Sequence, residues 1–195
     1  MGIVGRLFAI IGFVVVAVSV AGVAYFQDEI RAAQRLDAKA SSVYLNMMST
    51  VLKTGNAAEA TVWRVPLAEG VTPDDAEEAM KAVANEHNIK NVGELPLSQQ
   101  VEAMTGKPYR TLKIFMFCDP LTATKMLDYS DAFSAYLPCR VAMVEDKQGK
   151  VWLYTLNMDL MIHGGTPLPA DLKLEADKVK NTILAIMHRG ADGDF

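Results

Sequence analysis

Cysteine is scarce in this chain: only Cys118 and Cys139 stand among 195 residues, and 20 intervening positions keep them from being a CxxC redox pair. Also missing are a metalloprotease helix motif, a phosphate-cradling glycine loop and a nucleophile elbow, so the usual sequence grounds for asserting an enzyme are absent. No run of Lys and Arg is interleaved with aromatics, and the net charge is −4, which excludes a phosphate-binding surface for nucleic acid. The acidic residues are scattered, as on a solvated surface. Residues 7–26 hold no charge at all, and residues 28–54 hold neither proline nor glycine.

The uncharged run, LFAIIGFVVVAVSVAGVAYF, is 20 residues long. A helix of about that length spans a bilayer core of about 30 Å, whereas a cleavable signal peptide carries an apolar region of only ~7–15 residues. A retained single-pass anchor is therefore expected over residues 1–27, in contact with membrane lipid. Gly5 with Ala9, and Ala17 with Ala21, are small residues four apart, a spacing that lets membrane helices approach closely. Sidedness draws on two opposed signals. Arg31, Arg35 and Lys39 beyond the span favour a cytoplasmic domain by the Lys/Arg count, while Arg6 ahead of the span is the layout of a signal anchor. The second is preferred here, with an extracytoplasmic (periplasmic) domain as its consequence.

Apolar positions then recur at Leu36, Ala40, Val43, Met47 and Val51, with Lys53 and Gly55 as a stop. This predicts a helical stalk over 28–56, uninterrupted for about 40 Å, that packs its one apolar face on the domain or on a neighbouring helix. Residues 57–195 suffice for one globular domain. TVWRVPL alternates as a strand; Thr72-Pro73-Asp74-Asp75 opens a helix with Ala76, Met80, Val83 and Ala84 inward. A short strand follows near 89–97, another runs from Arg110 to Cys118, and Asp119-Pro120 starts the next helix. Strands at 139–145 and 151–156 form a hairpin, and Leu172, Ala176, Val179, Ile183 and Ile186 mark a closing helix. The order is β-α-β-β-α-β-β-α, an α+β domain of two layers with helices packed on one sheet.

Cys118 ends a strand just before a helix start, where backbone N–H groups favour a thiolate. Opposing this, Asp119 repels an anion, and Cys118 shares a strand face with Leu112, Ile114 and Met116, which reads as core. Cys139 likewise shares a face with Val141 and Met143. Three readings stay open: buried unpaired thiols, a disulfide worth roughly 3 kcal/mol, or a pair handling electrons, sulfur or a soft metal. Parallel strands would put the two cysteines at opposite ends of the sheet, and antiparallel strands at the same end.

A strand ending Cys118-Asp119-Pro120, a helix, Leu137-Pro138-Cys139-Arg140, a strand and an acidic hairpin turn together resemble the family called domain of unknown function 302. The likeness runs from about Ala60 to Met187, through "GELPLSQQVEAMTGKPYRTLKIFMFCDP" and "YLPCRVAMVEDKQGKVWLYTLN". It implies a compact α/β sandwich able to dimerise, and no particular reaction. Family members usually carry asparagine between the first cysteine and the proline. Asp119 keeps the helix cap and adds a charge.

Met158, Met161 and His163 form a further candidate, since thioethers and imidazole suit Cu(I), although methionine more often fills a core. No cofactor is otherwise expected. The leading functional expectation is a non-enzymatic accessory or assembly subunit docked on a larger membrane complex, or on its own copies, through span and stalk. The alternative is thiol chemistry at Cys118 and Cys139.

Overall fold

The computed structural model describes residues 2–194. Helix α1 (Ile3–Tyr25) is long and apolar enough to cross a membrane, and none of its residues is buried. Gly5, Ala9, Ala17 and Ala21 all lie on it. It passes at Phe26 into α2 (Gln27–Ala33).

The stalk is not the uninterrupted helix that its composition suggests. It breaks after α2 and resumes as α3 (Ala40–Thr54). The cause is tertiary. The Asp37 amide donates to the Gly165 carbonyl at 2.8 Å instead of continuing the helical ladder. The Asp37 carboxylate accepts from the Lys39 amide at 2.9 Å, a local bond that competes with helix. Beyond the break, Ala40 and Val43 are buried and Tyr44 donates its hydroxyl to the Gly164 carbonyl at 2.6 Å, so the apolar face of α3 lies on the domain. Gly55 ends α3 with φ +68°, a conformation that suits glycine. The short α4 (Ala57–Ala60) follows.

The domain proper begins with β1 (Val62–Pro66), then α5 (Pro73–Glu86), β2 (Lys90–Leu95), α6 (Leu97–Thr105) and β3 (Leu112–Cys118). Helix α7 (Pro120–Tyr129) and a 3₁₀ helix (Asp131–Tyr136) lead to β4 (Cys139–Glu145) and β5 (Val151–Leu156). The chain closes with α8 (Asp159–His163) and α9 (Ala170–Asp192). The five strands form one antiparallel sheet in the order β1-β5-β4-β3-β2. This is the α+β layering expected, with the short helices α6 and α8 and the 3₁₀ turn added.

Helices α5 and α9 pack on each other and on one face of the sheet. The capping box at Thr72 and Asp75 sets the start of α5. Ala76, Met80, Val83, Ala84, Ile183, Ile186 and Met187 meet the sheet's Phe115, Phe117, Val141, Met143 and Leu153, all of them buried. Trp63, Val65 and Leu67 of the β1 segment join this core, as the alternation indicates.

The inward face of β3 is the reverse of the one expected. Phe115 and Phe117 are fully buried, while Leu112, Ile114 and Met116 lie half-buried on the other side. Lys113 shares the Phe115 face and disguises it in the sequence. Its ammonium stands 5.0 Å from the centre of the Phe115 ring and binds Glu77 and Glu94, each at 2.7 Å. Burying each phenyl ring contributes roughly 1.5–3 kcal/mol, which sets the orientation of the strand.

Candidate functional site: a sulfur-lined cavity

The antiparallel ladder decides where the cysteines meet. Phe117 on β3 pairs with Cys139 on β4, so Cys118 and Cys139 stand at the same end of the sheet. The 3₁₀ turn makes this possible by carrying the chain back from the end of α7 to the start of β4. Both cysteines are free thiols.

Around them lies a partly open cavity of about 40 Å³ whose walls are almost wholly apolar. Strand ends supply Phe117, Cys118 and Cys139; α7 supplies Thr122, Ala123 and Met126; the 3₁₀ segment supplies Phe133, Tyr136 and Leu137. Met158, Met161 and Ile162 close it from the α8 side, and Ala176 and Val179 from α9. Five sulfur-bearing residues therefore line one space. A cavity of this size admits about one or two water-sized particles.

Electrostatics there disfavour anions. Burial, and then the Asp119 charge, push the Cys118 thiol up from its ordinary value. Burial pushes Cys139 further, to about 11, and the neighbouring Cys118 adds to the shift. Neither is a free thiolate near neutrality. Asp119 lines the cavity, but its carboxylate is committed to the helix start. It accepts from the Leu121 amide at 3.1 Å, the Thr122 amide at 3.3 Å and the Thr122 hydroxyl at 3.1 Å. Pro120 is the first residue of α7. Pro138 follows a cis peptide bond from Leu137, and Arg140 is exposed, one residue past Cys139.

A wider groove adjoins the cavity, lined by Tyr44 and Met47 of the stalk helix, by Tyr129, Phe133 and Tyr136, and by Leu160, Met161 and Thr166. Phe133, Tyr136 and Met161 border both spaces. The thiol cavity thus lies one side chain away from the seam between stalk and domain.

The trio of Met158, Met161 and His163 is divided by the structure. The two methionines face the cysteine cavity, whereas His163 is absent from its walls. His163 is buried beneath the stalk, with Nδ1 3.3 Å from Asp37 Oδ1 and 3.1 Å from Lys173 Nζ. Its Nε2 is buried without a hydrogen-bond partner; Asp159 Oδ1 stands 4.0 Å away. The Lys39 amide, aided by His163 and Lys173, holds the Asp37 carboxyl below its ordinary value. His163 is thus a latch between stalk and domain. Met126 is the cavity sulfur that sequence reading did not connect with the cysteines. It is buried on α7, and nothing local in the sequence shows the cavity it shares with α8.

A second polar cluster lies on the far side of the core, where Glu77 and Glu94 alternate with Lys81 and Lys113 in four contacts of 2.6–2.7 Å. The bonds from Lys113 and Lys81 hold Glu94 at about 2. Among the described residues, no group of three or more His, Cys, Asp or Glu side chains is arranged to hold a metal ion.

The family profile described as "Domain of unknown function DUF302" matches residues 63–190. No curated protein matches the chain significantly. Among solved structures, an uncharacterized conserved DUF302 protein from Bacillus stearothermophilus superposes with a TM-score of 0.54 at 13% identity, over 66% of this chain and 97% of that one. At that identity the likeness speaks for fold alone. With the profile spanning both cysteine-proline segments and most of the sheet, the chain belongs to the DUF302 family.

Proposed function

We propose that this chain is a single-pass, membrane-anchored accessory or assembly subunit, its DUF302 domain held on the extracytoplasmic (periplasmic) side of a larger integral-membrane complex. The observation that carries this is α1, an apolar helix with no buried residue. Such a surface is covered by lipid and by the helices of a partner, and its small-residue pairs offer close approach. Further support comes from the latch at Asp37, Tyr44 and His163, which fixes the stalk helix against the domain. The domain then sits at a set height instead of swinging on a flexible tether. The test is mild detergent extraction from native membranes, native sizing and identification of the accompanying chains. Migration with an integral-membrane complex is expected; a lone monomer at native abundance refutes the reading.

One observation favours a second reading, a thiol function at Cys118 and Cys139: both thiols are unbonded and line the same cavity. Alkylation of the folded, reduced protein tests it. Labelling before denaturation supports a working pair, and protection until denaturation refutes one.

A further inference from the structure

The side chains around the cavity separate the soft ligands from the hard ones. Two cysteines and three methionines, Cys118, Cys139, Met126, Met158 and Met161, line a space large enough for a single ion. The carboxylate at its wall, Asp119, is consumed by capping α7, and the Thr122 hydroxyl donates to that same carboxylate. The nearest imidazole, His163, is turned to Asp37 and Lys173. An ion entering here finds sulfur and little else.

We propose that this cavity is a binding site for one monovalent soft cation, Cu(I), held by Cys118, Cys139 and the thioethers of Met158 and Met161. This deepens the thiol reading by naming its ligand. The charge balance selects the valence. Low-dielectric walls penalise any net charge, so the preferred complex is neutral. Cu(I) with one cysteine deprotonated meets that condition: one S–H bond breaks, one S–Cu bond forms and one proton leaves to solvent. The second thiol and the thioethers are neutral donors, and sulfur of both kinds suits Cu(I). A divalent zinc ion would require both thiols to ionise, and its harder preferred partners, imidazole and carboxylate, are engaged elsewhere.

Access is through the groove between stalk and domain, where Met161 borders both the groove and the cavity. A flexible thioether at that position both screens the cavity and offers a first ligand to an arriving ion. The latch that seats α3 therefore also sets the mouth of the site, since Tyr44 and Met47 form the groove's other wall.

The test uses the full-length, reduced chain in detergent micelles, titrated anaerobically with Cu(I) against a chromophoric Cu(I) chelator. One Cu(I) retained per chain is expected, with near-ultraviolet sulfur-to-copper absorption and both thiols shielded from alkylation. Met158→Leu and Met161→Leu, which keep volume and apolarity, should each weaken retention by about tenfold or more, on the scale of perturbed metal shells. Cys139→Ser should abolish it. Thermal unfolding of the metal-free variants checks that they fold. The inference is overturned if the chelator strips all Cu(I) from the wild type, or if the methionine variants bind as tightly as the wild type. Thiols that alkylate readily in a folded chain unable to retain Cu(I) would overturn the metal site and leave the thiol reading standing. Thiols that stay protected in such a chain would remove both.

Discussion

Asp119 separates two physical effects at one position, and two substitutions pull them apart. Its carboxylate accepts three hydrogen bonds at the start of α7, and the Thr122 hydroxyl is one of the donors, on a residue only 8% exposed. Asp119→Ala removes the cap, which costs about 1 kcal/mol, and strands a largely buried hydroxyl, which raises the total to about 2 kcal/mol. Asp119→Asn keeps an oxygen for the two amides and lets the hydroxyl accept from the new amide group. It forfeits only the charge–dipole contribution, about 0.5 kcal/mol. Both variants remove the charge that, after burial, raises the Cys118 thiol, so in both the thiol becomes more acidic while remaining above an exposed cysteine. Urea unfolding reads the first effect. The pH dependence of Cys118 alkylation in the folded protein, localised by mass spectrometry, reads the second, with the asparagine variant as the clean comparison because its helix stays capped. Equal destabilisation by alanine and asparagine would refute the cap. A Cys118 profile that fails to move to lower pH in Asp119→Asn would refute the electrostatic coupling.

Three further outcomes follow from the same structure. Glu94 is held at about 2, so its contribution is present above its ordinary value of 4.5 and is lost as pH falls from 4.5 towards 2; with its side chain 28% exposed and partly screened, about 1–2 kcal/mol is at stake. Urea midpoints at pH 6 and pH 3 should show that loss in the wild type and a smaller one in Glu94→Gln, and identical losses would discount the cluster. Tyr44→Phe removes the 2.6 Å bond to Gly164, and Asp37→Ala removes the carboxylate that meets Lys39 and His163, so the double variant should loosen the stalk. Limited proteolysis should then cut residues 34–39 several-fold faster with the domain's unfolding midpoint little changed, and unchanged cleavage would refute the latch. Gly190 faces Met80 and Ala76 where α9 crosses α5, and a Cβ there would collide with Met80 Cγ, so Gly190→Ala should cost about 1–3 kcal/mol in thermal or urea unfolding. A neutral result would show that Met80 simply swings aside.

Much of the fold was legible because it rests on local physics. Thr72 and Asp119 name helix starts by their side-chain oxygens, Gly55 names a stop, and the faces of α3, α5 and α9 follow from apolar spacing. Helix α6 escaped notice because its N-cap has no side-chain bond and none of its residues is buried. The orientation of β3 escaped because a strand with apolar residues on both faces and a lysine on one reads equally well either way round. Only the partners Glu77 and Glu94, brought by α5 and β2, let Lys113 share the Phe115 face.

By itself, then, the sequence determined the apolar span, the caps, the helix stripes and the family-bearing cysteine-proline segments, all of which depend on neighbours a few residues apart. Tertiary structure alone decided that the stalk breaks at Asp37, because Gly165 and His163 compete for its backbone and side chain. It also decided that Cys118 and Cys139 share a sheet end, since strand direction depends on where the chain re-enters. Finally it sorted Met158 and Met161 from His163. One turn of helix points neighbouring side chains to different sides, and only the packed partners on each side determine which becomes a cavity wall and which a latch.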